Sequence, residues 1–338
     1  LIKITCQDDY KPDGFSVVTI GNFDGVHIGH LQIIKKARKI VDWHSADKVI
    51  AVTFEPHPVY LLHPEKTPKL VTTIDMKAEL LERAGVDELA IITDSLRLLN
   101  MAPEQFVSDF LFRRFNPIAV VEGADFHFGY GRSGDIETLS KLGRKYGFST
   151  HRVELHEMDF SSGRQKVSST LVRRFIESGQ CEDACLALGR PYRLYGQIIK
   201  GRGIGRTIGF PTANIEPVDQ VQPADGVYAG YVQLEESEQS VTKYRPATLL
   251  PAVYSIGRAR TFKDGCPLLT EAHILSTESI PAGEIYGKWL AMDFLFKLRN
   301  QQAFSDTGKL VSQIEKDCAL ARELLSANNL KMYGGFDD

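Results

Sequence analysis

The sequence lacks the marks of several protein classes. It has no Cys-x-x-Cys pair, and its five cysteines are odd in number and without metal-ligand spacing, which argues against a disulfide framework and a zinc module. Cys181 and Cys185 stand four apart in an expected helix, where two packed thiols fit better than a bridge, so a reducing, cytoplasmic compartment is expected. No apolar run reaches the length of a membrane span, and the first residues show no basic and apolar regions of a secretory leader. Leu1 in the place of Met fits a trimmed terminus and an unusual start codon equally. Positive charge is not in excess: the net charge of −3 argues against a nucleic-acid binder held by bulk electrostatics. Repeats and low-complexity linkers are also missing.

What is present is an ordinary globular composition, 43% apolar and 25% charged over 338 residues, a length that suggests two domains. Up to about residue 160, apolar runs at 15–20, 48–54, 88–93, 118–123 and 149–155 alternate with amphipathic stretches at 30–41, 75–85, 103–115 and 136–147. Met76, Leu80 and Ala84 share one face of the second stretch, which stops at Gly85; Pro103 opens the third, where Phe106 stacks over Phe110. Alternating β and α with continuous apolar strands predicts a doubly wound, Rossmann-like parallel sheet, whose ligands sit at the carboxyl ends of the strands.

Two short helices are expected at 168–180 and 181–189. The pattern then turns to successive β-rich runs at 192–201, 226–235, 245–257, 268–275 and 288–298, with no helix between them, which predicts an antiparallel β-barrel. A terminal helix at 307–327 carries Leu310, Ile314, Cys318 and Leu325 on one face. The expected domains are 1–186 and 187–338.

In "VVTIGNFDGVHIGHLQIIKKA" (17–37) a strand feeds a glycine-rich turn and a helix beginning near His27. The free N–H groups and positive dipole end of that helix favour an anion, most obviously phosphate. Gly25 and Gly29 let backbone approach a ligand, and His27 and His30 point to one side of the first turn. Two imidazoles there can donate hydrogen bonds to a leaving phosphate. A metal pair, or a capped helix start with core histidines, is the plainer reading of an isolated HxxH. Downstream, Ser169 and Thr170 at a helix start, with Arg173 one turn on, can reach one anion, although alone they read as a capped helix with an exposed arginine. "KGRGIGRTIGFPTANI" (200–215) is no Walker loop. Its Gly201, Gly203, Gly205 and Gly209, flanked by Arg202 and Arg206, suit phosphate wrapping and a plain hairpin connection equally well.

"TIGNFDGVHIGH" resembles the signature of the HxGH nucleotidylyltransferase superfamily in the form used by prokaryotic FMN adenylyltransferases. "TFEPHP" (53–58), "EGADFHFGYGRSGD" (122–135) and "VSSTLVRRFIESG" (167–179) match that family in order, and "GFPTAN" (209–214) resembles the riboflavin kinase motif. The resemblance covers roughly residues 15 to 325 and is to the prokaryotic bifunctional riboflavin kinase/FMN adenylyltransferases. It implies that His27 and His30 bind ATP phosphates and the departing pyrophosphate, and that Gly21, Phe23, Asp24, Gly25 and Gly29 form the nucleotide loop. Asp125 would lie near the flavin or nucleotide, and Ser169, Thr170 and Arg173 would close over the phosphates. In the barrel it implies ATP phosphates on Gly201, Gly203, Gly205 and Arg206, Mg²⁺ on Thr212 and Asn214, and Glu271 as the base for the ribityl hydroxyl. A hydroxyl and an amide oxygen are reasonable hard ligands for Mg²⁺, and a kinase acting on an alcohol gains from such a carboxylate.

The implied partners are riboflavin, FMN and ATP, with no nucleic acid, no membrane and at most a weak homo-oligomer. The chain departs from the family pattern at Ala259 and Arg260, at "HILSTES", which lacks the usual acidic residue, and at Gln301, where glutamate is usual. A monofunctional FMN adenylyltransferase with a flavin-binding barrel is therefore the second expectation. A flavin sensor without catalysis is the third, and intact His27, His30, Thr212, Asn214 and Glu271 count against it. An HxGH transferase acting on another substrate is disfavoured by "GFPTAN".

Overall fold

The computed structural model describes residues 2–5, 10–43, 46–154, 156–201, 203–245, 248–258, 268–275 and 285–327. Leu1, Leu155, Arg202, Ala259, Arg260 and residues 276–279 of "HILSTES" lie outside the described residues. The chain divides into two units, Leu1–Ser169 and Thr170–Asp338.

The first unit is built on strands that are apolar because both of their faces are covered. All of β2 (Ser16–Ile20) is buried, as are Val49–Thr53 of β3 (Lys48–Phe54). With β1 (Ile2–Thr5), β4 (Glu88–Ile92), β5 (Pro117–Gly123) and β6 (Ser149–Val153) they form one six-stranded parallel sheet in the order β1-β4-β3-β2-β5-β6. From β2 the chain steps outward to β3 and β4, then crosses back to β5 and β6. The winding therefore reverses between β2 and β5, and the crevice outside their carboxyl ends is where ligands of such sheets bind. Helix α1 (Ile28–Trp43) follows β2 and buries Ile34, Ala37 and Ile40. Helix α2 (Ile74–Arg83) starts at Thr73, whose hydroxyl accepts from the Met76 N–H at 3.5 Å. Helix α3 (Ile136–Tyr146) is capped by Asp135 and closed by Gly147 in the left-handed region.

Segment 103–115 is helical but not a uniform α-helix. Phe106–Phe112 is wound as a π-helix between short α turns. Its buried residues are Phe106, Val107, Phe110 and Leu111, an apolar face that an α-helix would present equally well. Phe106 and Phe110 pack at 5.1 Å, as their spacing predicts. β1 and the hairpin Glu157–Phe160/Gly163–Lys166 were not expected from the sequence.

In the second unit α4 (Ser169–Ser178) leads into α5 (Cys181–Leu188). Cys181 and Cys185 are buried free thiols, and burial pushes the Cys185 thiol up to about 12. Cys185 Sγ donates to the Phe294 carbonyl at 3.4 Å, which ties α5 to the barrel. The barrel strands are β7 (Tyr192–Ile199), β8 (Ala213–Pro217), β9 (Gly226–Glu235), β10 (Leu250–Arg258), β11 (Leu268–Ile274) and β12 (Trp289–Arg299). They close in the order β7-β8-β11-β10-β9-β12 with antiparallel seams. Two features differ from the expected pattern: β8 lies within "GFPTANI", and short helices at Ile204–Thr207 and Glu238–Val241 interrupt the β runs.

The barrel strands carry a buried ion pair. Arg193 donates from Nε and Nη2 to the two oxygens of Asp293, each at 2.7 Å, and its guanidinium lies 3.8 Å from the Tyr244 ring centroid. The last described helix, α6 (Thr307–Ala327), packs Ile314, Cys318, Ala321 and Leu325 against Val227, Val253 and Leu295 of the barrel. That face is the one its sequence predicts.

Candidate functional site

In the first unit the turn after β2 is strained. Phe23 (φ 47°), Gly25 (φ 82°) and Val26 (φ 38°) all sit in the left-handed region, where a β-branched residue such as Val26 is uncommon. Its surroundings over-determine the loop. The Asp24 carboxylate is buried and accepts from the N–H groups of Val71 and Thr72, both at 3.0 Å, and from the Thr72 hydroxyl at 3.3 Å. Gly25 N–H donates to Thr72 Oγ1 at 3.0 Å, and Ser169 Oγ donates to the Asp24 carbonyl at 2.8 Å. Phe23 and Val26 are buried beneath the loop.

The loop delivers His27 to the start of α1. Its Nδ1 accepts from the His30 N–H at 3.4 Å, and the rings of His27 and His30 stack with centroids 3.6 Å apart and planes 15° apart. The Phe23 ring meets His30 edge-on at 5.2 Å. Gly29 leaves the stack room, since a Cβ there would stand 3.2 Å from the His27 ring and press it aside by a few tenths of an ångström. The glycine between the histidines therefore gives the imidazoles room. The pair and the helix-start N–H groups form a donor cluster suited to phosphate oxygens.

Asp125 follows β5 at the same end of the sheet. Burial raises its carboxyl, but the hydrogen bond and charge of Lys166 Nζ, at 2.5 Å, outweigh burial and hold it below its usual value. Two charged residues there were not singled out by sequence reasoning. Lys77 on α2 is 4% exposed; burial lowers its ammonium, and Asp24 and Glu55 act in the opposite sense. Glu122, the penultimate residue of β5, is 2% exposed and accepts from the Ile20 N–H at 2.6 Å. Burial drives its carboxyl well above the usual range, against the pull of that hydrogen bond and with Asp125 adding to the rise. An acid closing an apolar strand run, "IAVVEG", is the sequence signal that could have found it.

Ser169 thus meets the turn at Asp24. Thr170, exposed, and Arg173, half-buried, lie on α4 in the second unit.

The barrel carries a cavity of about 850 Å³ on its outer face, beside the first half of α6. Gly201, Gly203, Gly205, Thr212, Asn214 and Glu271 all line it. Arg206 is exposed and is not among its lining residues. The glycines allow close packing: a Cβ on Gly201 would collide with the Asn214 amide, and one on Gly205 would sit 2.4 Å from the Phe210 carbonyl and 3.2 Å from Thr212 Oγ1. Asn214 on β8 pairs in register with Glu271 on β11, and Glu271 pairs with Ser255 on β10. Directly opposed residues share a face, so amide, carboxylate and hydroxyl form one row along the cavity wall. Gln301 extends the row, donating from Nε2 to Ser255 Oγ at 2.9 Å and to the Ile256 carbonyl at 3.1 Å. Val227, Val253, Leu310 and Ile314 supply an apolar side. An extended apolar wall beside a row of oxygen donors and a glycine loop suits a flat ring system carrying a hydroxylated chain, together with a polyphosphate.

Comparison with known proteins matches both halves. Residues 10–171 match the family described as FAD synthetase, and residues 188–325 match the family described as riboflavin kinase. The bifunctional riboflavin kinase/FMN adenylyltransferase of Escherichia coli K12 is 34% identical over 312 residues, 92% of this chain and 93% of that protein. The protein of the same name from Listeria monocytogenes is 33% identical over 304 residues, 89% and 90% of the two chains. A crystal structure named as a macrolide-efflux protein from Streptococcus pneumoniae has the same fold, with a TM-score of 0.80 at 27% identity over 95% of this chain and 98% of that one. Among the described residues no helix is long and apolar enough to cross a membrane.

Proposed function

The chain belongs to the bifunctional riboflavin kinase/FMN adenylyltransferase family, and from that premise we propose how its residues divide two ATP-dependent transfers. It phosphorylates riboflavin to FMN and adenylylates FMN to FAD. Adenylyl transfer is assigned to residues 1–186 and riboflavin phosphorylation to 187–338. The compact units part earlier, after Ser169, where α5 joins the barrel through Cys185.

In the kinase half, ATP lays its phosphates along the amides of Gly201, Gly203 and Gly205. Glu271 accepts the proton of the terminal ribityl hydroxyl, whose oxygen attacks the γ-phosphorus as ADP leaves. The register row of Asn214, Glu271 and Ser255 on one cavity wall carries this reading. The glycine cradle holding Thr212 Oγ1 and the Asn214 amide offers two hard oxygen donors, and no cluster of three His, Cys, Asp or Glu exists among the described residues. That donor set fits Mg²⁺ carried largely by ATP phosphates and water; when bound, it neutralises phosphate charge.

In the adenylyltransferase half, an FMN phosphate oxygen attacks the α-phosphorus of ATP and pyrophosphate leaves. The attacking group is already an anion, so the protein has to align the two phosphates and neutralise their charge rather than remove a proton. His27 and His30 donate to the pyrophosphate, with Ser169, Thr170 and Arg173 assigned to the same phosphates and Asp125 to the flavin side. The stacked imidazoles at the sheet's winding reversal support this assignment. Buried free Cys181, Cys185 and Cys318 support a reducing compartment, the cytoplasm.

The test is a timed chromatographic assay of the purified chain with riboflavin, ATP and Mg²⁺, beside a reaction started from FMN. FMN and then FAD from riboflavin, and FAD from FMN, are the expected products. FAD from FMN with nothing from riboflavin would leave only the adenylyltransferase. Bound flavin without turnover would leave a sensor.

A further inference from the structure

The seam between β2 and β5 comes apart before the strands end. β2 pairs with β5 only from Ser16 to Val18, whereas on its other side it stays in register with β3 as far as Ile20 opposite Val52. β5 meanwhile stays paired with β6 through Gly123. Gly21 N–H points to β3, donating to the Val52 carbonyl at 2.9 Å, so the preceding N–H, that of Ile20, points to β5. It meets Glu122 Oε1 at 2.6 Å instead of a strand carbonyl. A side chain thus bridges the opening where the backbone ladder stops. Ile20 is also the last strand residue before the loop that carries Asp24, Gly25 and His27.

We infer that Glu122 is a positioning residue for FMN adenylylation: by holding the Ile20 N–H across the parted seam, its carboxyl group sets where the Gly21–His27 loop meets the nucleotide. This inference rests on the adenylyltransferase reading of that loop.

The bridge needs a proton. Glu122 is buried, and among the described residues it forms no ion pair. Each charged group around it is engaged elsewhere or has the wrong sign. Asp125, just beyond β5, is an anion paired with Lys166 and close to His127. Arg152, opposite Glu122 on β6, is paired with Glu154. Glu122 shares its strand face with Val120, which packs in the apolar cluster of Ile20, Phe106, Phe128 and Leu139, whereas α1 lies over the opposite face, with Ile33 3.8 Å from the Cβ position of Gly123. From β2 the Ile20 amide donates its hydrogen bond. Burial and Asp125 both favour the neutral acid. Ionisation would strengthen one hydrogen bond but leave a bare anion in a buried seam beside another carboxylate. The acid would be driven out and the loop would lose its fixed end.

The experiment follows FAD formation from FMN and ATP with the full chain from mildly acidic to alkaline pH. Glu122→Gln keeps the shape and the amide acceptor but cannot ionise. It is expected to keep wild-type kcat/KM for FMN at neutral pH and to lose the alkaline fall shown by wild type. Glu122→Val removes the acceptor and is expected to lower kcat/KM on the order of 10- to 100-fold, the scale of a small misplacement of reacting groups. Riboflavin phosphorylation by the same preparations should not change, and the thermal unfolding of each variant beside wild type checks that the first unit is folded. An alkaline limb identical in Glu122→Gln and wild type would overturn the inference, as would wild-type rates in Glu122→Val. Should Glu122→Val fail to fold, the Gln profile decides alone.

The Ile20 amide resonance in ligand-free protein, selectively labelled, gives a second reading independent of turnover. It should titrate in wild type and stay still in Glu122→Gln; a resonance unmoved in both overturns the contact. Absence of FAD at every pH from wild type would instead overturn the adenylyltransferase reading, with the Ile20 titration still deciding the bridge.

Discussion

Asn214 and Glu271 stand directly opposite each other on neighbouring antiparallel strands, and both side chains line the outer-face cavity of the barrel. An amide that suits a metal-bound polyphosphate and a carboxylate that suits a hydroxyl proton are thus neighbours on one wall. The register of β8 and β11 sets that adjacency, so the two side chains are placed by backbone pairing.

Glu271→Gln removes the base and keeps the shape. Riboflavin phosphorylation is expected to fall on the order of 100- to 10,000-fold, while FAD formation from supplied FMN continues. Chromatography of the two reactions side by side checks it; undiminished FMN formation would remove Glu271 from the base role.

His30→Ala breaks the imidazole stack. FAD formation from FMN is expected to fall about 100- to 1,000-fold, the range seen when one preorganised charge-stabilising donor is lost, with riboflavin phosphorylation untouched. Equal loss of both activities would mean that the two sites are not separate.

Asp24→Ala leaves the N–H groups of Val71 and Thr72 without their acceptor. A destabilisation of about 1–3 kcal/mol is expected for such buried groups, together with loss of FAD formation as the strained turn relaxes. Urea unfolding measures the first effect; an unchanged midpoint would show that the carboxylate does not hold the loop.

Glu122 also makes stability depend on pH. Its carboxyl sits well above the unfolded value because it is buried, so the native state keeps a proton that the unfolded state releases. Its contribution is complete below the ordinary carboxylate range and declines as pH rises from there through the raised native value. Thermal unfolding followed across that window should show a falling slope in wild type that Glu122→Gln flattens. An equal slope in both would assign the dependence to other groups.

Much of the fold was legible because burial leaves a pattern. The Val- and Ile-rich runs of β2 through β5 announce strands covered on both faces, and Ile314, Cys318 and Leu325 mark the packed face of α6. β1 has four residues, too few for a periodic signal. β8 was obscured by the motif that contains it, although Ala213 and Ile215 are buried and Asn214 between them is not, which is the alternation of a strand. The π-helical stretch answers to tertiary packing, and nothing in its residue spacing separates it from an α-helix.

The candidate site divides in the same way. His27, Gly29 and His30 are contiguous, so their stack is a local consequence of sequence. Glu271, Ser255 and Gln301 are brought together only by barrel register and hydrogen bonding. Glu122 carries no periodic mark at all; its role comes from where the β2–β5 ladder stops.

The cavity that holds Asn214 and Glu271 is partly bounded by Leu310, Ile314 and Asp317 of α6, the last helix described. On a ribosome, β2 and the turn that strains Phe23 and Val26 emerge early, and the parallel sheet can be complete while the barrel is still being made. The cavity acquires one of its walls only when α6 arrives. A nascent chain stalled ahead of Thr307 would therefore carry a complete parallel sheet with its His27–His30 turn and a barrel cavity still open on one side.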